Sequence, residues 1–227
     1  MRGPEERSFV KIAHRGASAY EPENTIRSFE RAIELKADMI ELDVRKSLEG
    51  RLVVIHDSKV DRTTGGSGLV VRKSLAELKE LDAGKGEKIP TLEEVLECAA
   101  GKTKFVIELK ENGLEEGVIR AIKGYGLMED VFVVSFSPVR LKVVKEIEPR
   151  LNTGLILFAS ADPLGTAKSC GADVVAPFRW FITRSLAERA RLSGLYLFTW
   201  VVDDGEKAAK LMEIGVNGIV TNKPDLM

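Results

Sequence analysis

The stretch KIAHRGASAYEPENT, residues 11–25, carries a short apolar run into His14-Arg15-Gly16, and a helix start follows at Pro22-Glu23-Asn24-Thr25. His56 closes a second apolar run, LVVIHD, and the chain holds only these two histidines. Imidazole has an unperturbed pKa of ~6.5, so it gives or takes a proton near neutral pH. Two such groups at strand ends, beside charged residues, are candidates for proton transfer. The plainer alternative for each is a structural hydrogen-bonder.

Acidic residues supply the second signal. In MIELDVR, side chains alternate, so Ile40, Leu42 and Val44 share one face and Glu41, Asp43 and Arg45 the other. In KFVIELK, Phe105, Ile107 and Leu109 lie opposite Glu108 and Lys110. Glu41 and Asp43 have Cα atoms roughly 7 Å apart, so their oxygens could reach a common ion. Burying three carboxylates together is costly unless a cation or hydrogen bonds compensate. An oxygen-only set suits a hard divalent ion, Mg2+ or Ca2+, better than zinc. The alternative is a structural ion network in which Arg15, Arg45 and Lys110 neutralise the three acids.

Which face looks inward depends on the elements that carry these residues. Short β-rich runs alternate with longer stretches of helical period. The runs are FVKIAH (9–14), MIELDV (39–44), KFVIEL (104–109), VFVVSF (131–136), NTGLILF (152–158), ADVVAPF (172–178), YLFTWVV (196–202) and GIVTN (218–222). Several of the intervening stretches stop on glycine, as in YGL, SGL and EIGVNG. Such alternation implies parallel strands joined by right-handed helical crossovers. Eight units with no linker predict an α/β protein, a (β/α)8 TIM barrel with a small insertion after the second strand. An open doubly wound sheet is the structural alternative, but no Gly-x-Gly-x-x-Gly turn favours it. In a barrel the outward face lies under helices and must be apolar, so Glu41, Asp43 and Glu108 point inward. LVVIH (52–56) reads as the return arm of a hairpin over the barrel mouth. Residues 57–103 then form the insertion and return helix, and residues 1–227 are expected to be one domain.

Composition narrows the function classes. A formal charge of -1 and a pI near 6.2 give no net attraction to nucleic acid or anionic membrane. Cys98 and Cys170 lack metal-type spacing and read as small buried hydrophobes in a reducing compartment. The start, MRGPEERSFV, is charged where a signal peptide needs an apolar stretch. A cytoplasmic protein is therefore expected. The chain has 24 glutamates and no glutamine, a composition like that of heat-adapted proteins, which bears on source and not on activity.

Taken in order, His14-Arg15-Gly16, Pro22-Glu23-Asn24-Thr25, Glu41-x-Asp43, His56-Asp57 with DRTTGGSG after it, and Glu108-x-Lys110 resemble the signature of glycerophosphodiester phosphodiesterases. The resemblance runs on through Thr199-Trp200 to GVNGIVTNKP. It implies a metal-dependent β/α barrel that hydrolyses deacylated phospholipids to glycerol 3-phosphate and an alcohol. By the same resemblance His14 and His56 are an acid–base pair, Glu41, Asp43 and Glu108 bind the metal, and Arg15 and Lys110 contact the phosphate. Family members often carry Asp where this chain has Asn217 and Asn222, and Asn where it has Asp203. These departures are expected to bear on substrate contact at that side of the mouth.

Smaller signals leave alternatives open. Glu23 and Asn24 could cap the first helix or support the metal shell. Trp200 could wall the glycerol pocket or serve core packing. Phe178, Trp180 and Phe181 could receive the alcohol moiety or close the barrel. Arg184, Arg189 and Arg191 read as a solvated helix face. The expected partner is a small glycerophosphodiester, with no nucleic acid and no stable membrane association, for a monomer or homodimer. A lysophospholipase D-like activity would need a greasy surface, which the short insertion does not supply. A pseudoenzyme that only binds metal or phosphate is the non-catalytic alternative.

Overall fold

The computed structural model describes residues 9–226. In chain order its elements are β1 (Val10–Ala13), α1 (Ile26–Glu34), β2 (Met39–Lys46), β3 (Leu52–Val54), α2 (Leu75–Glu80), α3 (Leu92–Ala99) and β4 (Lys104–Leu109). There follow α4 (Glu115–Gly124), β5 (Val131–Ser135), α5 (Pro138–Ile147), β6 (Asn152–Leu157), α6 (Pro163–Ser169) and β7 (Val174–Pro177). The chain finishes with α7 (Arg184–Leu192), β8 (Tyr196–Thr199), α8 (Gly205–Ile214) and β9 (Gly218–Thr221).

Eight strands pair in parallel in the order β1-β2-β4-β5-β6-β7-β8-β9, and β9 pairs back with β1. The barrel is thus closed, as the alternation of runs predicts. The extra strand, β3, returns antiparallel to the far end of β2, with Val54 opposite Val44.

Strand alternation sorts the core into layers. Ile40, Leu42, Val44, Phe105, Ile107 and Leu109 face outward and are buried with Phe29 of α1, Leu96 of α3 and Ile122 of α4. Burial of each such side chain is worth ~1.5–3 kcal/mol, so a one-residue slip of β2 would forfeit most of this layer. A smaller cluster, including Met39, Val106, Val134 and Phe198, fills the barrel interior. The insertion has its own core around Val53, Val60, Val70 and Leu78. Its helices α2 and α3 start at reciprocal caps, Ser74 with Glu77 and Thr91 with Glu94, which satisfy backbone donors otherwise left unpaired.

Glycine ends α8, where Gly215 takes φ +103. Arg184, Arg189 and Arg191 lie exposed on α7, a solvated face. Cys170 is buried, but Cys98 is only half-buried, so the expectation of two buried hydrophobes holds for one of them. Among the described residues, no helix is long and apolar enough to cross a membrane.

Candidate active site

Parallel pairing of β2 with β4 sets Asp43 opposite Glu108, with Glu41 one pleat earlier on the same inward face. All three acids are buried, and each offers an oxygen within 4.8 Å of the others. Arg15 Nε lies 3.2 Å from Asp43 Oδ2, and Lys110 Nζ lies 2.8 Å from Glu108 Oε1 and 3.4 Å from Asp43 Oδ1. Glu41 Oε2 accepts the backbone N–H of Arg15 at 2.8 Å. Arg45 takes no part in this cluster. It pairs with Glu111 at 3.1 Å and donates to the His56 carbonyl at 2.9 Å. The ion network considered from sequence is therefore one cation short.

Electrostatics show the consequence. Burial, with Asp43 and Glu108 alongside, pushes the Glu41 carboxyl well above its ordinary range. Burial and Asp43 push Glu108 up to about 7, against the pull of Lys110. Burial also raises Asp43, but Lys110, Arg15 and His56 outweigh it and the carboxyl ends below its ordinary value. Two acids whose ionisation is opposed, beside a third whose ionisation is favoured, make a cluster short of positive charge. Its donors are oxygens only, and a divalent ion fits that set. The arrangement can hold a metal.

The loop from β1 to α1 delivers the cationic side. Gly16 sits at φ +79, and a Cβ there would lie 2.4 Å from Ser28 Oγ and 2.6 Å from its backbone, so glycine is required. Arg15 and Asn24 adopt φ +53 and +58, in the left-handed region that asparagine tolerates and arginine enters rarely. The helix cap is Thr25, which trades bonds with Ser28. Of the two roles considered for Glu23 and Asn24, capping falls to Thr25, and Asn24 instead contacts one of the clustered acids. Asn24 Nδ2 donates to Asp43 Oδ2 at 2.8 Å, and Glu23 receives Arg15 Nη1 at 2.9 Å.

Each histidine is held by a different kind of partner. His56 Nδ1 meets Asp57 Oδ1 at 2.6 Å. Asp57 is in turn gripped by Arg62 at 2.6 Å, and Arg62 makes a two-pronged contact with Glu23 at 2.7 and 2.8 Å. A charged chain thus links Arg15 to His56 through Glu23, Arg62 and Asp57. His14 Nδ1 instead meets an amide oxygen, Asn222 Oδ1, at 2.7 Å. Burial and the charge on Arg15 push the His14 pKa down to about 4. Burial also lowers His56, with Asp43 and Asp57 opposing.

One cavity of about 130 Å3 gathers His14, Arg15, Glu41, His56, Glu108 and Lys110, with Trp200 and Phe136 on its wall. Asp43 lies just behind this lining, 1% exposed. The eight residues singled out from sequence therefore meet at one mouth, the C-terminal end of the strands, where barrel enzymes keep their sites. Trp200 lines the cavity, and its Nε1–H donates to the Ala176 carbonyl at 2.9 Å. Phe178 packs on Trp200 at 5.1 Å and Trp180 on Phe178 at 5.1 Å.

Sequence reasoning assigned no part to Arg62 or to the contact of Asp203 with Asn222. The only signals for them were the DRTTGGSG loop and the departures from the family pattern. Asn217 corrects an expectation: it lies at the start of β9, its Oδ1 accepting Leu197 N–H at 2.9 Å, at the opposite end from the mouth.

Comparison with known proteins agrees with this geometry. A profile of the glycerophosphoryl diester phosphodiesterase family matches residues 14–226. A glycerophosphodiester phosphodiesterase of Caldanaerobacter subterraneus subsp. tengcongensis is 43% identical over 230 residues, covering 95% of each chain. The crystal structure of a glycerophosphodiester phosphodiesterase from Agrobacterium tumefaciens superposes with a TM-score of 0.88 at 31% identity, over 96% of this chain and 98% of that one. An Oleispira antarctica phosphodiesterase, solved with its product sn-glycerol-3-phosphate, gives a TM-score of 0.90 at 28% identity, over 95% and 94%. The chain belongs to the glycerophosphoryl diester phosphodiesterase family and is a phosphoric diester hydrolase.

Proposed function

We propose that this chain cleaves small glycerophosphodiesters, such as glycerophosphocholine or glycerophosphoethanolamine, to glycerol 3-phosphate and an alcohol, using two histidines and a divalent ion. The observation that carries this reading is the convergence of both histidines and the Glu41–Asp43–Glu108 cluster on one cavity. The relative solved with sn-glycerol-3-phosphate supports it.

Glu41, Asp43 and Glu108 would hold Mg2+ or Ca2+. When bound, such an ion polarises a phosphoryl oxygen and lowers the cost of bringing negative groups together. Arg15 and Lys110 face the same cavity and neutralise the phosphate, the former with a planar fork and the latter with a point charge. One histidine takes the proton from the attacking hydroxyl and the other gives one to the departing alcohol. Such help is worth ~10^2 to 10^4 in rate. The attacking group is the substrate's own 2-hydroxyl, which yields a cyclic phosphate that water then opens. Rapid-quench detection of that cyclic ester tests this order of events. Its absence, with inversion at a chiral phosphorus, points to direct attack by water.

The reading as a whole is tested by glycerol 3-phosphate release from a panel of glycerophosphodiesters, with divalent ions or with chelator. Activity should vanish in chelator, and in His14→Ala and His56→Ala variants that remain folded. Turnover undiminished in any of these overturns it.

A second reading has one specific observation behind it. Successive strand ends carry Phe136, Phe158, Phe178 and Trp200, and Phe136, Phe158, Trp180 and Phe181 are 45%, 57%, 75% and 44% exposed. The insertion buries most of its apolar residues, but this opposite rim offers the greasy surface that a lysolipid would need. Comparing rates on glycerophosphocholine and on its acylated parent decides between the two substrates.

A further inference from the structure

The segments that follow three adjacent strands each supply one member of a hydrogen-bonded row. His14 follows β1, Asn222 follows β9 and Asp203 follows β8. Asp203 Oδ1 accepts the Asn222 backbone N–H at 2.7 Å and the Thr221 hydroxyl at 3.0 Å, while its Oδ2 accepts Asn222 Nδ2 at 2.6 Å. A carboxylate only accepts, so the amide NH2 of Asn222 must face it. That leaves Asn222 Oδ1 toward His14 Nδ1 at 2.7 Å, where Ser18 Oγ also approaches at 2.8 Å. An amide oxygen is likewise only an acceptor. His14 must therefore carry its proton on Nδ1, and neutral His14 presents a bare Nε2.

We propose that Asp203 is a positioning residue that acts through Asn222 to fix the tautomer and ring orientation of His14. The inference rests on the reading that His14 moves a proton in the reaction, and it adds which nitrogen does so. With Nδ1–H committed to Asn222, Nε2 is the atom that takes the proton. Once Nε2 is protonated, the amide oxygen still accepts from Nδ1, so the ring keeps its place through the proton's arrival and departure.

Donor counting dictates how the row can be broken and mended. In Asp203→Asn, the single carbonyl oxygen at 203 cannot serve both sides. Either its NH2 confronts the NH2 of Asn222, or it confronts the Asn222 backbone N–H. Turning the Asn222 amide relieves the clash but points an NH2 at His14 Nδ1, which drives the proton to Nε2. In Asn222→Asp, two carboxylates meet across the former 2.6 Å bond. Making both changes together restores every pairing. The amide oxygen at 203 takes the backbone and Thr221 donors, its NH2 donates to the new carboxylate, and that carboxylate accepts His14 Nδ1–H.

The test combines kinetics with nitrogen NMR on histidine-labelled protein, which has only two imidazoles to assign. In wild type, His14 should show a protonated Nδ1 and a bare Nε2. Each single substitution should lower kcat by about 10- to 100-fold with KM changed less than about threefold, and Asp203→Asn should shift His14 toward the Nε2–H form. The exchanged pair, Asp203→Asn with Asn222→Asp, should recover kcat to within a few-fold of wild type and restore the Nδ1–H signature. The idea is overturned by an Nε2–H tautomer in wild type, by wild-type kcat in Asp203→Asn, or by an exchanged pair no better than the worse single variant. The wild-type spectrum answers even if a single variant fails to fold. Activity lost in chelator and in His14→Ala would still uphold the reading of the reaction if the row proved idle.

Discussion

Asp43 and Glu108 stand directly opposite one another across the parallel β2–β4 pair, both pointing into the barrel. Like charges in that position are normally destabilising. Glu41, one pleat away, brings a third acid within 4.8 Å, and Arg15 and Lys110 supply two positive charges. The stability of the metal-free chain should therefore improve when the cluster loses an acid, even as function is lost.

Glu41→Gln tests that directly. Burial and its two acidic neighbours already oppose ionisation of Glu41, and glutamine can still accept the Arg15 N–H. Chelator-treated Glu41→Gln should melt higher than wild type, by on the order of 1 kcal/mol, and gain nothing from added divalent ion. Activity should fall at least ~100-fold. A lower melting temperature in chelator would make Glu41 a partner in a structural ion network instead.

The pH dependence of Glu108 has a definite sign. Its folded pKa, about 7, lies above the unfolded value, so the native state holds a proton that the unfolded chain has released. From about pH 4.5 to 7, that group makes metal-free stability fall as pH rises, on the order of 3 kcal/mol in full. His14, lowered to about 4, has the opposite sign across pH 4 to 6.5, so the comparison must isolate Glu108. Glu108→Gln should therefore gain on wild type in chelator as pH climbs from 5 to 7.5. A difference that stays flat, or shrinks, contradicts the raised pKa.

His56 depends on Asp57 and Arg62 for its orientation. Asp57→Asn should lower kcat by about 10- to 100-fold with little change in KM, because Nδ1 loses a carboxylate partner. Arg62→Met should have a smaller effect in the same direction, since Asp57 itself remains. Equal and large KM increases in both variants would instead mean that these residues bind substrate.

Gly16→Ala should cost ~2 kcal/mol or more and carry activity down with it. The added methyl meets the backbone of Ser28 at 2.6 Å, at a φ of +79 that alanine resists. Chemical denaturation measures this loss. A wild-type midpoint would show that the loop can shift away from α1.

Much of this site is legible in MIELDVRK and KFVIELK, because strand alternation gives acids no alternative to the inward face once the barrel is inferred. His14 and His56 stand out through rarity and position at strand ends. Asp203 and Asn222 were visible only as departures from a pattern, and nothing in the sequence says that they touch each other. Their pairing depends on β8 lying next to β9 in the closed barrel, a contact between loops 19 residues apart. Arg62 is hidden for the same reason, since its bond to Glu23 spans 39 residues. Phe178, Trp180, Phe181 and Trp200 stand out in the sequence, whereas Phe136 and Phe158 do not, because each is a single ring at the end of its own strand. Asn217 lies far from the mouth because it precedes β9, whereas Asn222 follows the same strand and so reaches the mouth.

The central claim is that the three facing acids bind a divalent ion needed for hydrolysis. Calorimetric titration of the metal-free chain with Mg2+ and with Ca2+ tests it most directly. One ion should bind per chain, with release of protons near pH 7, and binding should disappear in Glu108→Gln together with glycerophosphodiester hydrolysis. No uptake of either ion, with hydrolysis continuing in chelator, would contradict the account.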